Sequence, residues 1–315
     1  MVAAVTTRVT VTHAHAPLLG RLTVAVASGK GGTGKTLVAT NLALAAARGG
    51  APVALVDCDA DAPNDALFLA PAEPHTTTVE VPIPVVREEA CTLCGACRKA
   101  CAYGAIRILG GTVLVFPELC HGCGLCAAVC RPGAITEEPM RVGEVAWGRV
   151  AGTVADPAGL DVVTGTLDVG EVKAPSVIRA ARARAEVLHR PVTLLDAPPG
   201  VSCSAVASIR TADVLVLVTE PTHFGLHDLK LAVTLGRELG VPLSVVINRE
   251  GMGAVDVAGY CELEGIPVLA RIPFDRRVAE IYARGGLVID EHPEGAAWFA
   301  GLWGAVRDLA EEAEW

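Results

Sequence analysis

Eight of the eleven cysteines fall into two short runs that repeat one spacing, C-x-x-C-x-x-C-x-x-x-C. Three closely spaced thiolates of such a run can bind one face of a [4Fe-4S] cube, and a fourth thiolate completes its ligands. Zinc is the competing metal, but zinc sites usually combine two C-x-x-C units across a longer interval. The spacing therefore favours iron–sulfur clusters. The residues are Cys91, Cys94, Cys97 and Cys101 in the first run, and Cys120, Cys123, Cys126 and Cys130 in the second.

A glycine-rich segment, GKGGTGKT, lies between a short apolar run and an Ala- and Leu-rich stretch, which is the order strand, loop and helix. It matches G-x-x-x-x-G-K-T, in which backbone N–H groups surround phosphate oxygens at the positive end of the helix. Lys35 should reach the β- and γ-phosphates, and Thr36 should offer its hydroxyl to Mg²⁺. We therefore expect a nucleoside triphosphate site. Its predicted contacts are Gly29, Lys30, Gly31, Gly32, Thr33, Gly34, Lys35 and Thr36.

Carboxylates follow two other apolar runs. Asp57 and Asp59 come directly after residues 53–56, and Asp196 follows residues 193–195. Ligands of parallel sheets bind beyond the carboxyl ends of the strands, so these side chains can face the phosphates. Asp61 belongs to the same acidic stretch, but a solvated loop is its simpler interpretation.

The elements that must position these residues form an alternating pattern. Apolar runs of strand length recur at residues 22–27, 53–56, 193–195, 214–218 and 243–247. Helical segments such as residues 174–188 and 229–239 lie between several of them. This order predicts an α/β fold with a doubly wound, mostly parallel sheet.

The cysteine-rich stretch interrupts that pattern and is predicted to be an insertion. Pro and Thr dominate residues 71–84 before it, and the Gly- and Val-rich residues 140–171 after it resemble β-hairpins. We expect an acidic amphipathic helix at residues 298–315 to dock on the core. The expected organisation is a tail at 1–17, a first ATPase part at 18–86, an insertion at 87–138 and a second ATPase part at 139–315.

Composition limits the function classes. The chain is 51% hydrophobic and carries a net charge of −9, so it offers no broad basic surface for nucleic acid. No apolar run approaches the length of about 20 residues that spans a bilayer, and the first residues lack the features of a signal peptide. Clustered metal-type cysteines favour a reducing compartment, so a cytoplasmic location is expected.

The motif GKGGTGKT resembles the deviant Walker A motif of the MinD, ParA, nitrogenase iron protein and Mrp group of ATPases. The resemblance implies that Lys30 reaches the phosphates of the partner subunit in an ATP-bound homodimer. It implies further that Asp57 and Asp196 act near Mg²⁺ and that Asp59 orients the attacking water. Lys30, Lys35 and Asp59 are thereby the expected catalytic residues. Two weaker correspondences place Asn248 and Pro273 beside the adenine.

The cysteine runs resemble those of bacterial two-cluster ferredoxins, in which the fourth cysteine of each run ligates the other cluster. This resemblance implies crossed ligand sets. The Pro that usually follows the fourth cysteine is absent from both runs, which removes no ligand. One implied set is Cys91, Cys94, Cys97 and Cys130, and the other is Cys120, Cys123, Cys126 and Cys101.

Two functions are compatible with an ATPase that carries such an insertion. In the first, nucleotide-dependent dimer switching controls electron transfer to an unidentified redox partner through two [4Fe-4S] clusters. In the second, an Mrp-type carrier delivers a cluster or metal cofactor to an acceptor apo-protein, although the C-terminal C-x-x-C of that type is absent. Cys203 lies where the nitrogenase iron protein has a cluster ligand; a small buried residue is the alternative interpretation.

Overall fold

The computed structural model describes residues 20–150 and 159–313, so the expected tail lies outside the described residues. Apolar β-branched runs form the strands, and Ala- and Leu-rich segments form most of the long helices. The strands are β1 Leu22–Ala27, β2 Val53–Asp57, β3 His75–Val86, β4 Ile106–Leu109, β5 Thr112–Val115, β6 Ile135–Arg149, β7 Leu160–Leu167, β8 Val192–Asp196, β9 Val214–Thr219, β10 Leu243–Glu250 and β11 Val268–Pro273. The α-helices are α1 Lys35–Arg48, α2 Ala96–Ala100, α3 Leu125–Ala128, α4 Ala174–Val187, α5 Cys203–Ile209, α6 His223–Leu239, α7 Val257–Glu264, α8 Arg276–Ala283, α9 Val288–Glu291 and α10 Gly295–Ala313.

Within the described residues, nine strands form one sheet in the order β11-β10-β9-β1-β8-β2-β7-β6-β3. Neighbours from β11 to β7 run parallel, and β6 and β3 add an antiparallel edge. Strands β2 and β9 are buried along their whole length, as is usual when helices cover both faces of a parallel sheet. The predicted doubly wound, mostly parallel sheet is confirmed.

The helices form two layers. Helices α4 to α7 pack their apolar residues against one face of the sheet, and α1 with α8 to α10 covers the other. Phe299 of α10 is fully buried on the second face, so the C-terminal helix docks on the core as expected. No helix of the described ranges is both long and apolar enough to traverse a lipid bilayer.

Strands β3 and β6 form a long antiparallel ribbon at the edge of the sheet, paired from His75 with Trp147 to Val86 with Ile135. Strand β6 also pairs antiparallel with β7, which confirms the hairpin predicted in residues 140–171. Strand β3 was missed because Pro and Thr mask its alternation. Its buried residues Val79, Val81 and Ile83 recur with a period of two, and that period was the available signal.

Residues 87–134 leave the end of this ribbon as a separate excursion, which we call the cysteine module. It contains the β4–β5 hairpin, the short helices α2 and α3, and a 3₁₀ turn before each cysteine run, at Glu88–Ala90 and Pro117–Leu119. Ile106, Cys126 and Ile135 form a small core of its own. The excursion begins and ends where the ribbon pairing stops, so both chain ends enter the module side by side.

Candidate functional site

The predicted nucleotide residues meet at the carboxyl edge of the parallel sheet. The phosphate loop, residues 28–34, follows β1, while Asp196 ends β8 and Asp57 ends β2. On the other side of β1, Glu220 follows β9 directly and Asn248 lies in β10. Adjacent strands β8 and β2 are in register at their last residues, so Asp57 lies opposite Asp196. This edge gathers residues from across the chain, as expected for a doubly wound fold.

The phosphate loop takes a shape that only its glycines allow. Gly32 and Gly34 have φ of 80° and 91°, in the left-handed region that side chains disfavour. A Cβ at Gly29 would overlap the backbone carbonyl of Asp228, and one at Gly34 would overlap the amide of Asn248. The hydroxyl of Thr33 is buried and has no hydrogen-bond partner within residues 20–150 and 159–313, which fits a loop shaped to surround an anion.

Lys35 and Thr36 both bond to one carboxylate. Lys35 donates to Asp196 Oδ1 at 2.7 Å, and the Thr36 hydroxyl donates to Oδ2 at 2.7 Å. Burial lowers the pKa of Lys35, but the carboxylates of Asp196, Asp65 and Asp59 together outweigh burial and hold that pKa above its ordinary value. Lys35 therefore stays charged, ready to interact with phosphate.

Asp57 is fully buried and accepts three backbone hydrogen bonds. The donors are the N–H groups of Asp59 at 3.0 Å, Asn64 at 2.7 Å and Asp65 at 2.9 Å. Burial, followed by repulsion from Asp196, raises the pKa of Asp57 to about 7 despite these donors. A cation bound between the two carboxylates would lower that pKa again.

Asp65 is one of two site residues that the sequence analysis missed. It is 0% exposed, and neither carboxylate oxygen has a hydrogen-bond partner among the residues that the structure describes. Asp57, Asp65 and Asp196 each place an oxygen within 4.8 Å of the other two, the spacing of ligands around one metal ion. Burial, then Asp57 and Asp196, raises the pKa of Asp65 well above its usual range. Nothing in the sequence distinguishes Asp65 from its exposed neighbour Asp61, since only tertiary burial separates them.

The other two loop aspartates occupy different surroundings. Asp59 is partly buried, and burial raises its pKa, although Lys35 opposes the shift. Asp61 is exposed, in agreement with the solvated-loop interpretation. Asp59 is therefore the better placed of the two to meet a water molecule beside the phosphates.

The second loop lysine is held by a carboxylate on the neighbouring strand. Lys30 donates to Glu220 Oε1 at 2.7 Å, and Arg249 donates to Oε2 of the same residue at 2.8 Å. Burial opposes ionisation of Glu220, but Lys30 and Arg249 together hold its pKa below the usual range. Glu220 was not predicted from the sequence.

A cavity of about 230 Å³ opens beside the phosphate loop on the side of β10 and β11. Asn248 and Pro273 both line it, and their contact with adenine stays a prediction. Asn248 also donates its amide to the Thr33 carbonyl at 2.8 Å, which ties the cavity wall to the loop. Other lining residues include Gly32, Gly34, Leu37, Phe274, Val278 and Tyr282.

The eight cysteines of the module separate into two groups of four around two cavities. The groups combine cysteines from both runs, and each cavity is otherwise lined mainly by apolar residues. Four thiols around an apolar cavity suit a [4Fe-4S] cluster as a donor set. The outer set is Cys91, Cys94, Cys97 and Cys130, and the inner set is Cys101, Cys120, Cys123 and Cys126.

The backbone around the two sets repeats with an internal symmetry. Leu93 and Gly122 occupy the same place in the two runs, with φ of 54° and 62°, and Gly95 and Gly124 open α2 and α3 with φ of 74° and 72°. Left-handed residues curl the backbone so that N–H groups approach sulfur, as Gly122 does toward Cys120 at 3.5 Å. The repeated geometry fits two equivalent metal centres.

Three cysteines lie outside the module. Cys58 and Cys261 are buried, as predicted, and burial raises their pKa values to about 12 and about 11. Cys203 is exposed at the first residue of α5, so the interpretation as a buried residue was wrong. Its role as a ligand stays a prediction.

Comparison with known proteins agrees with this site. The CobQ/CobB/MinD/ParA nucleotide-binding domain family matches residues 24–288. An uncharacterized protein of Methanocaldococcus jannaschii is 31% identical over 270 residues, 85% of this chain and 90% of that protein. A second from the same organism is 27% identical over 269 residues, 83% of this chain and 89% of that protein. An iron–sulfur cluster carrier protein of Aquifex aeolicus is 28% identical over 116 residues, 32% of each chain.

Solved structures show the same fold. The cell division ATPase MinD of Pyrococcus furiosus superposes with a TM-score of 0.55 at 22% identity, covering 92% of this chain and 100% of that one. MinD of Pyrococcus horikoshii, complexed with Mg-ADP, gives 0.56 at 20% identity, covering 93% and 98%. The glycine loop, its strand-end carboxylates and the family match together show that the chain belongs to the CobQ/CobB/MinD/ParA nucleotide-binding domain family.

Proposed function

We propose that this protein is an ATP-hydrolysing switch that controls electron transfer through two [4Fe-4S] clusters, with residues 87–138 as an inserted ferredoxin-like domain. The observation that carries the proposal is the separation of eight cysteines into two crossed sets of four, on one chain with a nucleotide site. Each set supplies the complete thiolate ligands of one cluster. Such clusters need reduced thiols, so we place the protein in the cytoplasm.

On the nucleotide side, Lys35 and Thr36 would exchange their bonds to Asp196 for bonds to phosphate and Mg²⁺. Thr36, Asp57 and Asp196 are the residues that would hold Mg²⁺, which neutralises charge that develops on the phosphates. Asp65 adds a third carboxylate within reach of the same ion. Asp59 would orient the attacking water. Asn248 and Pro273 would contact the base.

Dimerisation would depend on the second lysine. Lys30 would leave Glu220 and bind the phosphates in a second copy of the chain, so that ATP joins two subunits. The contact of Lys30 with Glu220 is partly exposed, so breaking it costs little free energy. A buried lysine–phosphate contact would stabilise the dimer by more than this cost.

The inner cysteine set is packed on the ATPase core. Cys120 belongs to the same cluster of buried side chains as Ala205 and Ile209 of α5. Helix α5 follows residues 197–202, which connect it directly to Asp196. A nucleotide-dependent movement of that connection would thus reach the inner set through contiguous packing. A cluster bound by the inner set would supply one-electron chemistry. The packing between α5 and Cys120 would carry the movement of residues 197–202 to the cysteines that hold this cluster.

Anaerobic EPR of the reconstituted and reduced protein tests the coupling. We expect the fraction of reduced clusters, or their spectrum, to differ between ATP, ADP and no nucleotide. The Lys35→Ala variant should show the same spectrum in all three conditions. Identical spectra in the wild type under all three conditions would contradict the proposal.

The partial likeness to an iron–sulfur cluster carrier favours a second candidate, an ATP-dependent carrier that donates a cluster to an apo-protein. Incubation with an apo-ferredoxin separates the two functions. A carrier loses iron to the acceptor when ATP is added, whereas an electron-transfer protein with four ligands per cluster keeps its iron.

A further inference from the structure

An open depression lies beside the outer cysteine set, and we call it the basic depression. Three of its lining side chains are positively charged and none is acidic. Two apolar residues and the exposed Cys94 complete it. It is lined by Leu93, Cys94, Gly95, Arg98, Lys99, Arg107 and Ile108.

The side chains of this surface are positively charged, whereas the net charge of the protein is negative. Residues 87–134 contain five Lys or Arg and three Glu, so the Lys, Arg and Glu side chains of the module carry a positive surplus before the negative charge of thiolate-bound clusters is added, in a chain of net charge −9. Arg98, Lys99 and Arg107 are exposed, and none of them forms an ion pair with any residue in the described ranges. Some exposed arginines elsewhere are paired with a carboxylate, as Arg237 is with Glu264 at 2.6 Å. The charge of the depression is therefore free to attract an anionic surface.

The depression adjoins the cysteine set that faces away from the ATPase core. Cys94 of the outer set and Cys123 of the inner set are exposed, whereas Cys120 and Cys126 of the inner set are buried. Cys101 and Cys120 pack against the main core, while Cys97 and Cys130 pack against the small core of the module. A protein bound in the depression would thus lie close to the outer set.

We propose that the basic depression is the docking surface of an acidic electron-carrier protein, a flavodoxin or ferredoxin with a negative face. The proposal rests on the proposed electron-transfer function and names the kind of partner. In each encounter the reduced carrier would lose one electron, and the [4Fe-4S] cluster that the outer cysteine set would hold would accept it. The inner set lies between that point and the ATPase core.

The basic and apolar side chains of the depression together favour an acidic protein as its occupant. Arg98, Lys99 and Arg107 supply complementary charge, which accelerates encounter and fixes orientation. Leu93, 43% exposed, and Ile108 supply the apolar contact typical of a protein interface. Nucleic acid is the competing anion, but the depression offers three charges and no aromatic ring on which a base could stack.

The test is a triple charge reversal, Arg98→Glu with Lys99→Glu and Arg107→Glu, in the reconstituted full-length protein. The matched control reverses three exposed basic residues on ATPase helices, Lys230→Glu with Arg237→Glu and Arg307→Glu. An acidic flavodoxin is the probe. Its binding in the oxidised state is measured by calorimetry at low and high salt, and electron transfer from its reduced state by stopped-flow absorbance.

The wild type should bind the flavodoxin more weakly as salt rises. The triple variant should lose at least tenfold in affinity and in electron-transfer rate, and the control should stay within twofold of the wild type. Equal affinity of the triple variant and the wild type would overturn the proposal. Tighter binding of a single-stranded oligonucleotide than of flavodoxin at the depression would overturn it as well.

Iron content and EPR spectra of all three proteins separate this proposal from the proposed function. If the wild type holds no iron–sulfur clusters, the proposed function fails. If all three proteins hold clusters and bind flavodoxin equally, only the docking surface fails. Melting temperature in each case shows whether the charge reversal has affected folding.

Discussion

The ammonium nitrogen of Lys30 lies 2.7 Å from a carboxylate oxygen of Glu220, which joins the phosphate loop to the end of the neighbouring strand. Arg249 contacts the other oxygen of the same carboxylate. Glu220 therefore keeps Lys30 on its own subunit. Any role of this lysine in a second subunit requires that contact to break.

The Glu220→Gln variant should dimerise more readily with ATP. Removing the charge weakens a contact worth about 1 kcal/mol in each of the two subunits, which corresponds to roughly a thirtyfold change in the dimer dissociation constant. Light scattering after size exclusion with ATP measures the dimer. The Lys30→Ala variant is the control and should remain monomeric. Unchanged dimerisation of Glu220→Gln beside a monomeric Lys30→Ala would show that the contact does not compete.

Replacing Asp65 by Asn should stabilise the ligand-free protein and weaken nucleotide binding. The change removes one of three mutually repelling buried carboxylates, and we expect about 1 kcal/mol or more of added stability. Thermal unfolding in EDTA should show a melting temperature higher by roughly 2 to 4 °C. Asp61→Asn, at an exposed position, should change neither property. A melting temperature lowered by Asp65→Asn would contradict this account of the site.

Stability of the ligand-free protein should fall as the pH rises from about 5 to 8. The folded state raises the pKa of Asp57 to about 7 from its usual value near 4, so folding binds a proton across that interval. This contribution is complete below the unfolded pKa and is lost as the pH passes about 7. Adding Mg²⁺ with nucleotide should reverse the trend, since the ion favours ionised carboxylates. Denaturant unfolding at several pH values, with EDTA or with Mg-ATP, measures both effects.

The crossed cysteine sets predict which cysteine variants should have similar EPR spectra and iron contents. Cys130→Ala should give the spectrum of Cys94→Ala, and Cys101→Ala that of Cys123→Ala, each with about half of the iron lost. EPR and iron analysis of the four variants measure this. Cys261→Ala, at a buried site outside the module, is the control. If Cys130→Ala instead resembled Cys123→Ala, each run would bind its own cluster.

Leu93 should be replaceable by glycine with a gain in stability. Its φ of 54° costs a residue with a Cβ about 1 kcal/mol, and the side chain is largely exposed. The reciprocal change, Gly122→Leu, should destabilise because its Cβ would lie 3.0 Å from Pro82 and 3.1 Å from Val81. Thermal unfolding of both variants checks the pair. A destabilised Leu93→Gly would show that Leu93 contributes packing that outweighs the strain.

Local sequence patterns were sufficient to predict the parallel core of the sheet and the phosphate loop. Periodic burial and the G-x-x-x-x-G-K-T spacing both act over a few neighbouring residues, which is why Lys35 and Asp196 were found. Asp65 and Glu220 were not, because their roles depend on burial and on partners far away in the chain. Glu220 meets a lysine 190 positions earlier. Cys203 was misjudged for the same reason, since exposure depends on how α5 lies on the sheet.

The ribbon of β3 and β6 limits how the cysteine module could be deleted from this protein. Strand β7 is paired by β2 on one side and by β6 on the other. A deletion that removed the ribbon together with the module would leave the N–H and C=O groups of β7 open along one side, and open strands recruit other chains. Pro82 interrupts the donors of β3, the present outer strand, and makes it a poor template for such growth. Protection from aggregation is thus tied to the segment that carries the cysteines, and a viable deletion must keep the ribbon and close it with a short turn between Val86 and Ile135.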